Sequence, residues 1–273
     1  MANLNRRDFA KSTVESLLTY SLLGSLFQQE LFSAEIKPMA AQWIKEVHEL
    51  GQDLKGKKLS QLQWKEQCEK LFTKADLKDL MKFVDFSGRI SSTPFRDKGE
   101  RPIRFKFPEV EGLPTNLVFG HQIFKLKKGQ SVVPHGHNNM ATAFLIMKGE
   151  FHGKHYDRLE DTDTHMIIKP TIDAKFGPGD CSTVTQMKDN VHWFKTESDE
   201  GYIFNIHILG LTTGSSGRVY VDPQGEQLNG GRIRARKIGA AEATKLYGER
   251  NELESPPHAN SSFHLLNSLR KTP

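Results

Sequence analysis

The spacing of apolar residues along this chain changes period near residue 103. From Pro38 to about Phe86 they recur every three or four positions. Trp43, Val47 and Leu50 form one such set, and Trp64, Cys68, Leu71 and Phe72 a second. Leu77, Leu80, Met81 and Val84 form a third. That spacing lays apolar side chains along one face of a helix, so it predicts two or three short helices packed on a main domain. "GKKLS" separates the first two helices, and Asp76 stands near the start of the third. "SGRISSTPFRDKGERP", Ser87 to Pro102, is polar, carries glycine and proline, and reads as a linker loop. From Ile103 onward the period is two. "IRFKFPEV", "NLVFGHQIFKLKKG", "ATAFLIMKGEFHGKHYD", "HMIIKPTIDAKFGPGD" and "YIFNIHILGL" are short strand-like runs divided by turn residues. Even spacing of this kind predicts a mainly β sandwich or barrel. After Tyr247 the chain turns polar and poorly patterned, which reads as a mobile tail. No internal repeat is present.

Composition narrows the classes. A length of 273 residues suits one or two domains, and an apolar share of 37% beside a charged share of 26% describes a rather polar, soluble average. The net charge of +5 is mild, and basic residues interleave with acids. No stripe of basic and aromatic residues forms, which argues against nucleic acid as a partner. The densest basic run, "GRIRARKI" from Gly231 to Ile238, alternates as a strand with one solvated charged face does. Cys68 and Cys181 are the two cysteines. They form no disulfide framework and no CxxC zinc spacing, so both are expected as small buried hydrophobes.

The N-terminus carries "NRRDFAK", Asn5 to Lys11, followed by the moderately apolar run Val14 to Phe27. This resembles a twin-arginine export signal, an address read by machinery that moves folded proteins to the periplasm. The run is shorter than the ~20 residues a membrane span needs. It also contains Glu15, so no stable span is expected. Ala10 stands where the usual leucine precedes the lysine, and "FSAE" near Ala34 is the nearest approach to a cleavage site. An ordinary amphipathic helix, with a cytoplasmic protein, is the alternative. The resulting division is 1–34 export signal, 35–102 helical extension and linker, 103–248 barrel and 249–273 tail.

The stretch Val132 to Arg158 holds four of the eleven histidines. His135 and His137 are two residues apart in a strand-like run, so both rings project from one face. Paired neutral imidazoles are a common way to hold a transition metal. Gly129 makes the turn that leads into this run. Further on, "PGD", Pro178 to Asp180, turns the chain into a second inward run that carries His192.

This order of a glycine turn, His-x-His, a second turn and a later His resembles the two motifs of the cupin superfamily. The resemblance implies a double-stranded β-helix (jelly-roll) barrel with an N-terminal α-helical extension, and a metal held by His135, His137 and His192. The positions where cupins place a glutamate ligand are Ala141 and Thr142, so three neutral histidines are expected. Over Leu117 to Gly210 the chain is further similar to the thiol dioxygenase branch, of the plant cysteine oxidase and aminoethanethiol dioxygenase type. His152, Lys154, Tyr156 and Asp157 after the glycine turn, then His192 to Phe194, carry that likeness. Where that branch tends to carry an acid and a tyrosine, this chain has His207 and Thr213. His207 and Tyr156 are therefore candidate pocket residues, with no catalytic residue assigned. His207 also has the plain reading of a half-buried sheet histidine. His121, His152, His155 and His165 are expected to be structural or exposed.

Three imidazoles would leave Fe(II) dicationic, with open positions on one face. The resemblance implies oxidation of a small thiol by dioxygen to a sulfinate. Zinc or manganese suits the same ligands, so a hydrolase or isomerase on this barrel is an alternative. A metal- or ligand-binding cupin without turnover is another.

Overall fold

The computed structural model describes residues 39–249. The export signal and all but the first residue of the tail lie outside the described residues. Four helices come first: α1 (Met39–Lys55), α2 (Gln61–Phe72), α3 (Leu77–Phe83) and α4 (Phe86–Ser92). Ser60 starts α2 with a reciprocal cap. Its hydroxyl accepts from the Gln63 amide at 3.2 Å, and its own amide donates to Gln63 Oε1 at 2.9 Å. Asp76 caps α3 by accepting from the Asp79 amide.

Helix α4 corrects the linker expected from Ser87. Its serines and glycine are weak helix formers, but burial decides the outcome. Phe86 packs edge-on against Tyr202 at 5.1 Å, and Arg89 Nε donates back to the Val84 carbonyl at 2.5 Å. The strand expected over Ile103 to Val110 is also corrected. β1 is confined to Arg101–Ile103, and the chain then runs unpaired to β2 (Gly120–Lys127). Phe105 and Phe107 instead pack their rings on His121, at 4.8 and 4.2 Å. Their alternation marks aromatic anchors, not a ladder.

The remaining strands are β3 (Ser131–Asn138), β4 (Met140–Lys148), β5 (Phe151–Asp161) and β6 (His165–Phe176). They are followed by β7 (Cys181–Val184), β8 (Val191–Thr196), β9 (Glu200–Leu209), β10 (Gly217–Leu228) and β11 (Arg232–Lys237). The pairing is nested: β5 with β6, β4 with β7, β3 with β8 and β2 with β9, all antiparallel. One long hairpin ladder is thus rolled over on itself, with successive rungs on opposite sheets. That is a jelly roll, the double-stranded β-helix. One sheet has the order β1-β2-β9-β4-β7. The other closes into a ring, β10-β11-β6-β5-β8-β3. β11 alternates as its sequence indicates, with Ile233 and Ala235 buried and Arg234 and Arg236 exposed.

The core has separate compartments. The helices cover the outer face of the first sheet, where Trp43, Trp64 and Phe72 meet Ala143, Phe204 and Ile206. Phe124, Phe144, Phe151 and Phe194 fill part of the space between the sheets. Tyr156, Met166, Ile168, Val191 and Val221 fill the closed ring. A last helix, α5 (Ala240–Tyr247), packs Ala243 and Tyr247 on Val133 and Trp193. Cys68 is buried and Cys181 half-buried, both as free thiols; burial pushes the Cys181 thiol up to about 11. No described helix is long and apolar enough to cross a membrane.

Helix α2 also reaches the barrel through charge. Lys65 Nζ meets Glu69 at 2.6 Å, the Thr183 carbonyl at 2.8 Å and Asp189 at 3.1 Å. Asp189 precedes β8, so the helical layer helps to hold the turn that enters the strand bearing His192.

Trp64 is 1% exposed within the helix-to-sheet core. Trp64→Ala is expected to lower unfolding stability by about 3–5 kcal/mol. Helical and β-sheet signals should be lost together in urea, because the helices and the sheet share one core. Separate transitions in circular dichroism would show that the helical layer folds independently.

Candidate metal centre

Strand β3 departs from simple alternation. Val132 lies opposite Phe194 and His135 lies opposite His192, so three steps along β3 match two along β8. The extra residue is a bulge at Val133–Pro134, and proline has no amide to give to a ladder. The bulge turns Val132 and His135 to the same side, into the space between the sheets. His137 follows on that side, two residues on.

Gly136, between the two ligands, has the opposite facing. A Cβ there would stand 2.7 Å from Asn190 Oδ1 and 3.2 Å from Val191 Cγ2, so the close approach of β8 leaves room only for glycine. Asn190 uses that approach. It accepts from the His137 amide at 3.2 Å, and its Nδ2 donates to the His137 carbonyl at 2.9 Å and the Thr185 carbonyl at 3.0 Å.

The three histidines meet. The Nε2 atoms of His135 and His137 are 3.1 Å apart. Ring centroids lie 4.3 Å apart for His135 and His192, and 4.8 Å for His137 and His192. One ring nitrogen from each of the three falls within 4.8 Å of the others. Two ligands each about 2.0–2.1 Å from one zinc ion in tetrahedral geometry lie about 3.4 Å apart. The spacing of the first pair therefore suits one shared cation.

Outer contacts set the lone pairs. His135 Nδ1 donates to the Val133 carbonyl at 2.7 Å, which leaves its Nε2 as the acceptor nitrogen. His137 Nδ1 meets Thr142 Oγ1 at 3.1 Å. Thr142 stands at one of the two positions where the resemblance implies a glutamate in other cupins, and here its hydroxyl meets an imidazole instead. His192 is fully buried; neither ring nitrogen makes a hydrogen bond of good geometry among the described residues, and the Asn190 backbone is the polar group that bears on its ring. An unsatisfied buried polar group costs about 1–3 kcal/mol, and a bound cation would engage the acceptor nitrogen of this ring. These observations fit a transition metal. All three histidines are held well below the usual imidazole range, chiefly by burial, then by a neighbouring imidazole (His192 for His135 and His137, His155 for His192) and by Arg218. They are neutral at physiological pH, as ligands must be.

The other candidates fall in different places. His207, on β9, lies opposite Thr142 and beside Gly120, so it faces the same space as His137. Burial first, then Arg218 and Arg104, keep it below the usual range. Tyr156 is not brought to the histidines. It pairs with Val191, so its ring enters the apolar interior of the closed ring while His155 and His192 face the other way. Its neighbour Asp157 has a positioning part: it accepts from the Asp189 amide at 2.9 Å and pairs with Lys188 at 2.8 Å, fixing the turn before β8.

His155 lies directly opposite His192, with no exposure. Its ring nitrogens are each 3.4 Å from Ser182 Oγ. Burial, then the charge of Lys65, lower it to about 3. His121 packs against Phe105 and Phe107, away from the triad, and burial lowers it to about 4. His152 pairs with Asp173 on the surface, and His165 stands at the start of β6.

Sequence reading missed Thr142 as a hydrogen-bond partner, as well as Asn190 and Arg218. Arg218 and Tyr220 of β10 lie opposite His137 and His135, a pairing no local pattern announces.

No family model matches this chain. No curated protein sequence matches it either. Among solved structures, similarity is found to procruciferin, an 11S globulin from Brassica napus. The identity is 11%, covering 37% of this chain and 22% of that one, with a TM-score of 0.30. An 11S globulin from Wrightia tinctoria gives 10% identity over 46% of this chain and 28% of that one, at 0.33. An uncharacterized conserved protein with a double-stranded beta-helix domain from Klebsiella pneumoniae gives 14% identity over 46% and 84%, at 0.31. The alignments span only about a quarter of the length of the two globulins. At these TM-scores the likenesses carry no argument, and the architecture rests on the chain's own strand pairing.

Thr142→Val keeps the shape of the side chain and removes the hydroxyl that meets His137. It is expected to lower metal affinity by about 10–100-fold, measured by competition with a chelator, with the fold intact. Unchanged affinity would mean that the hydroxyl does not orient the ring.

Proposed function

We propose that this chain is a metal-dependent dioxygenase of the cupin type that oxidises a small thiol with dioxygen. The observation that carries the reading is the buried group of three histidines with no carboxylate among them. Three neutral ligands leave the full charge of a divalent ion in place, which favours an incoming thiolate. Fe(II) bound there would supply the capacity to bring thiolate and dioxygen together and to exchange electrons with them. The overall change balances without a further reductant: RSH and O2 give RSO2H, with both oxygen atoms transferred to a sulfur oxidised by four electrons.

The residues of the chain have definable tasks in that scheme. His135, His137 and His192 hold the cation. Val133, Thr142 and Asn190 set the orientation of the first two. Phe144, 4.9 Å from the His192 ring, and Phe194 close the inner side against water. A thiol loses its proton on binding a cation, and we assign His207, which projects to the same side as Thr142 and His137, as the pocket residue that takes part in handling it.

His135→Ala, His137→Ala and His192→Ala should each remove most of the bound metal and all thiol-dependent oxygen uptake. His152→Ala and His165→Ala should change neither. Metal analysis and an oxygen electrode with cysteine, cysteamine, 3-mercaptopropionate and N-terminal-cysteine peptides check this. A His192→Ala protein with full metal would refute the triad. Wild type that holds zinc or manganese and consumes no oxygen would favour a hydrolase or isomerase.

We also propose that residues 1–34 export the folded protein by the twin-arginine route. The support is the paired Arg6 and Arg7 before a short apolar run. This route would allow the site to fill before transport. Arg6→Lys with Arg7→Lys should retain the protein in the cytoplasmic fraction, and undiminished export of that double variant would rule the route out.

A further inference from the structure

The wall of the site opposite the helices is cationic, and one residue of it bridges the gap between the sheets. In an antiparallel pair, residues directly opposite one another project to the same face, with Cβ atoms about 4.5–5.5 Å apart. Arg218 of β10 is directly opposite His137, and Tyr220 is directly opposite His135. Both side chains therefore stand on the metal-binding face, and the Tyr220 ring lies 5.7 Å from that of His135. Arg218 extends away from its own sheet. Its guanidinium carbon is 5.9 Å from the ring centroid of Phe124, which belongs to β2 in the other sheet and packs between the sheets. The cation thus crosses the space beside the triad.

Its neighbours leave it able to take a ligand. Nη1 donates to Glu100 Oε1 at 3.1 Å, and no other hydrogen bond engages the guanidinium among the described residues. The side chain keeps 30% exposure, so it is reachable from solvent. Glu100 holds the guanidinium without filling its fork, whose remaining N–H groups suit a second carboxylate.

The field around the site has one sign. Arg218 acts on all three triad histidines and on His207, and Arg158 adds to the field at His137. Arg158 is already engaged by Asn138 at 2.7 Å and by Asp161. Among the described residues, the charged side chains that bear on the triad are arginines, and the nearby carboxylate, Glu100, is committed to Arg218. A substrate ammonium would meet a dication and an arginine with no partner for its own charge. A carboxylate would meet its complement.

We propose that Arg218 binds the carboxylate of the substrate, so that the site selects thiols bearing a carboxylate over aminothiols. This rests on the reading of the triad as a thiol-oxidising metal centre, and it names the substrate class: short mercaptocarboxylic acids, whose sulfur reaches the metal while the carboxylate reaches Arg218.

Anaerobic calorimetry on the Fe(II)-loaded full chain, with 3-mercaptopropionate, cysteamine and propionate as probes, tests it. A charge-assisted hydrogen bond is worth about 1.5–3 kcal/mol, or about 10–100-fold in affinity. Wild type should bind 3-mercaptopropionate at least about tenfold more tightly than cysteamine, and propionate should compete with the former. Arg218→Gln should weaken 3-mercaptopropionate by about 10–100-fold, leave cysteamine and metal content unchanged, and abolish competition by propionate. Arg218→Lys should restore part of the preference. If the loss of Arg218 lowers soluble yield, Arg218→Gln combined with Glu100→Gln removes the unpaired acid and reads the same preference. Equal binding of the two thiols by wild type, or equal weakening of both by Arg218→Gln, would overturn the proposal. The two readings fail separately. Carboxylate-selective binding without oxygen uptake removes thiol oxidation and keeps the role of Arg218. Oxygen uptake with 3-mercaptopropionate, whose affinity Arg218→Gln leaves undiminished, keeps thiol oxidation and removes that role.

Discussion

The register of β3 against β8, with its one extra residue at Val133–Pro134, is the constraint on which the site depends. A one-residue slip between strands reverses the facing of every side chain. Without the bulge, Val132 and His135 would face opposite sides, and one of them would leave the space between the sheets. With it, Val132 joins the inter-sheet core beside Phe194, while His135 is set opposite His192. His137 then comes into line by ordinary alternation. The bulge therefore serves packing and the gathering of the three imidazoles at once.

The polar groups around the triad show how a buried set of imidazoles is kept neutral and aimed. Each of the first two rings has one nitrogen committed to an oxygen of the chain, from Val133 or Thr142, so the other is directed at the centre. Neither ring nitrogen of His192 makes a hydrogen bond of that kind among the described residues. A glutamate in place of Thr142 would add a negative ligand and halve the charge of a bound dication. The hydroxyl keeps the orientation and leaves the charge. Arg218, paired with Glu100, adds positive charge beside all three rings.

The helical layer contributes more than a cover. Trp64 and Phe72 seal the outer face of the first sheet, and Lys65 on the same helix reaches Asp189 before β8. Asp157 holds the same turn from the other side through the Asp189 amide and Lys188. Asn190, the next residue, grips the backbone of His137. The stretch from Asp189 to His192 is thus braced by a helix, by β5 and by β3.

Much of this was legible in the one-dimensional pattern. Alternation at period two marked most of the strands, and helical spacing marked the first three helices. The paired histidines, with His192 after a second turn, pointed to a metal, because those signals are local and the side-chain period of a strand is fixed by its backbone. Where local pattern misled, a distant surface had decided. Ser87 to Ser92 became helical because Phe86 found Tyr202. Phe105 and Phe107 left the ladder for the His121 ring, and Tyr156, beside the signature residues, turned into the apolar ring. Thr142, Asn190 and Arg218 could not be singled out by any local spacing. Each acts on His137 from a different strand or turn, 5, 53 and 81 positions away along the chain. The sequence by itself determined which residues could bind a metal, since imidazoles at i and i+2 must share a face. Tertiary structure alone decided how those rings are oriented and what charge faces them, because hydrogen-bond partners and fields are set by strand register, and register is a property of the closed barrel.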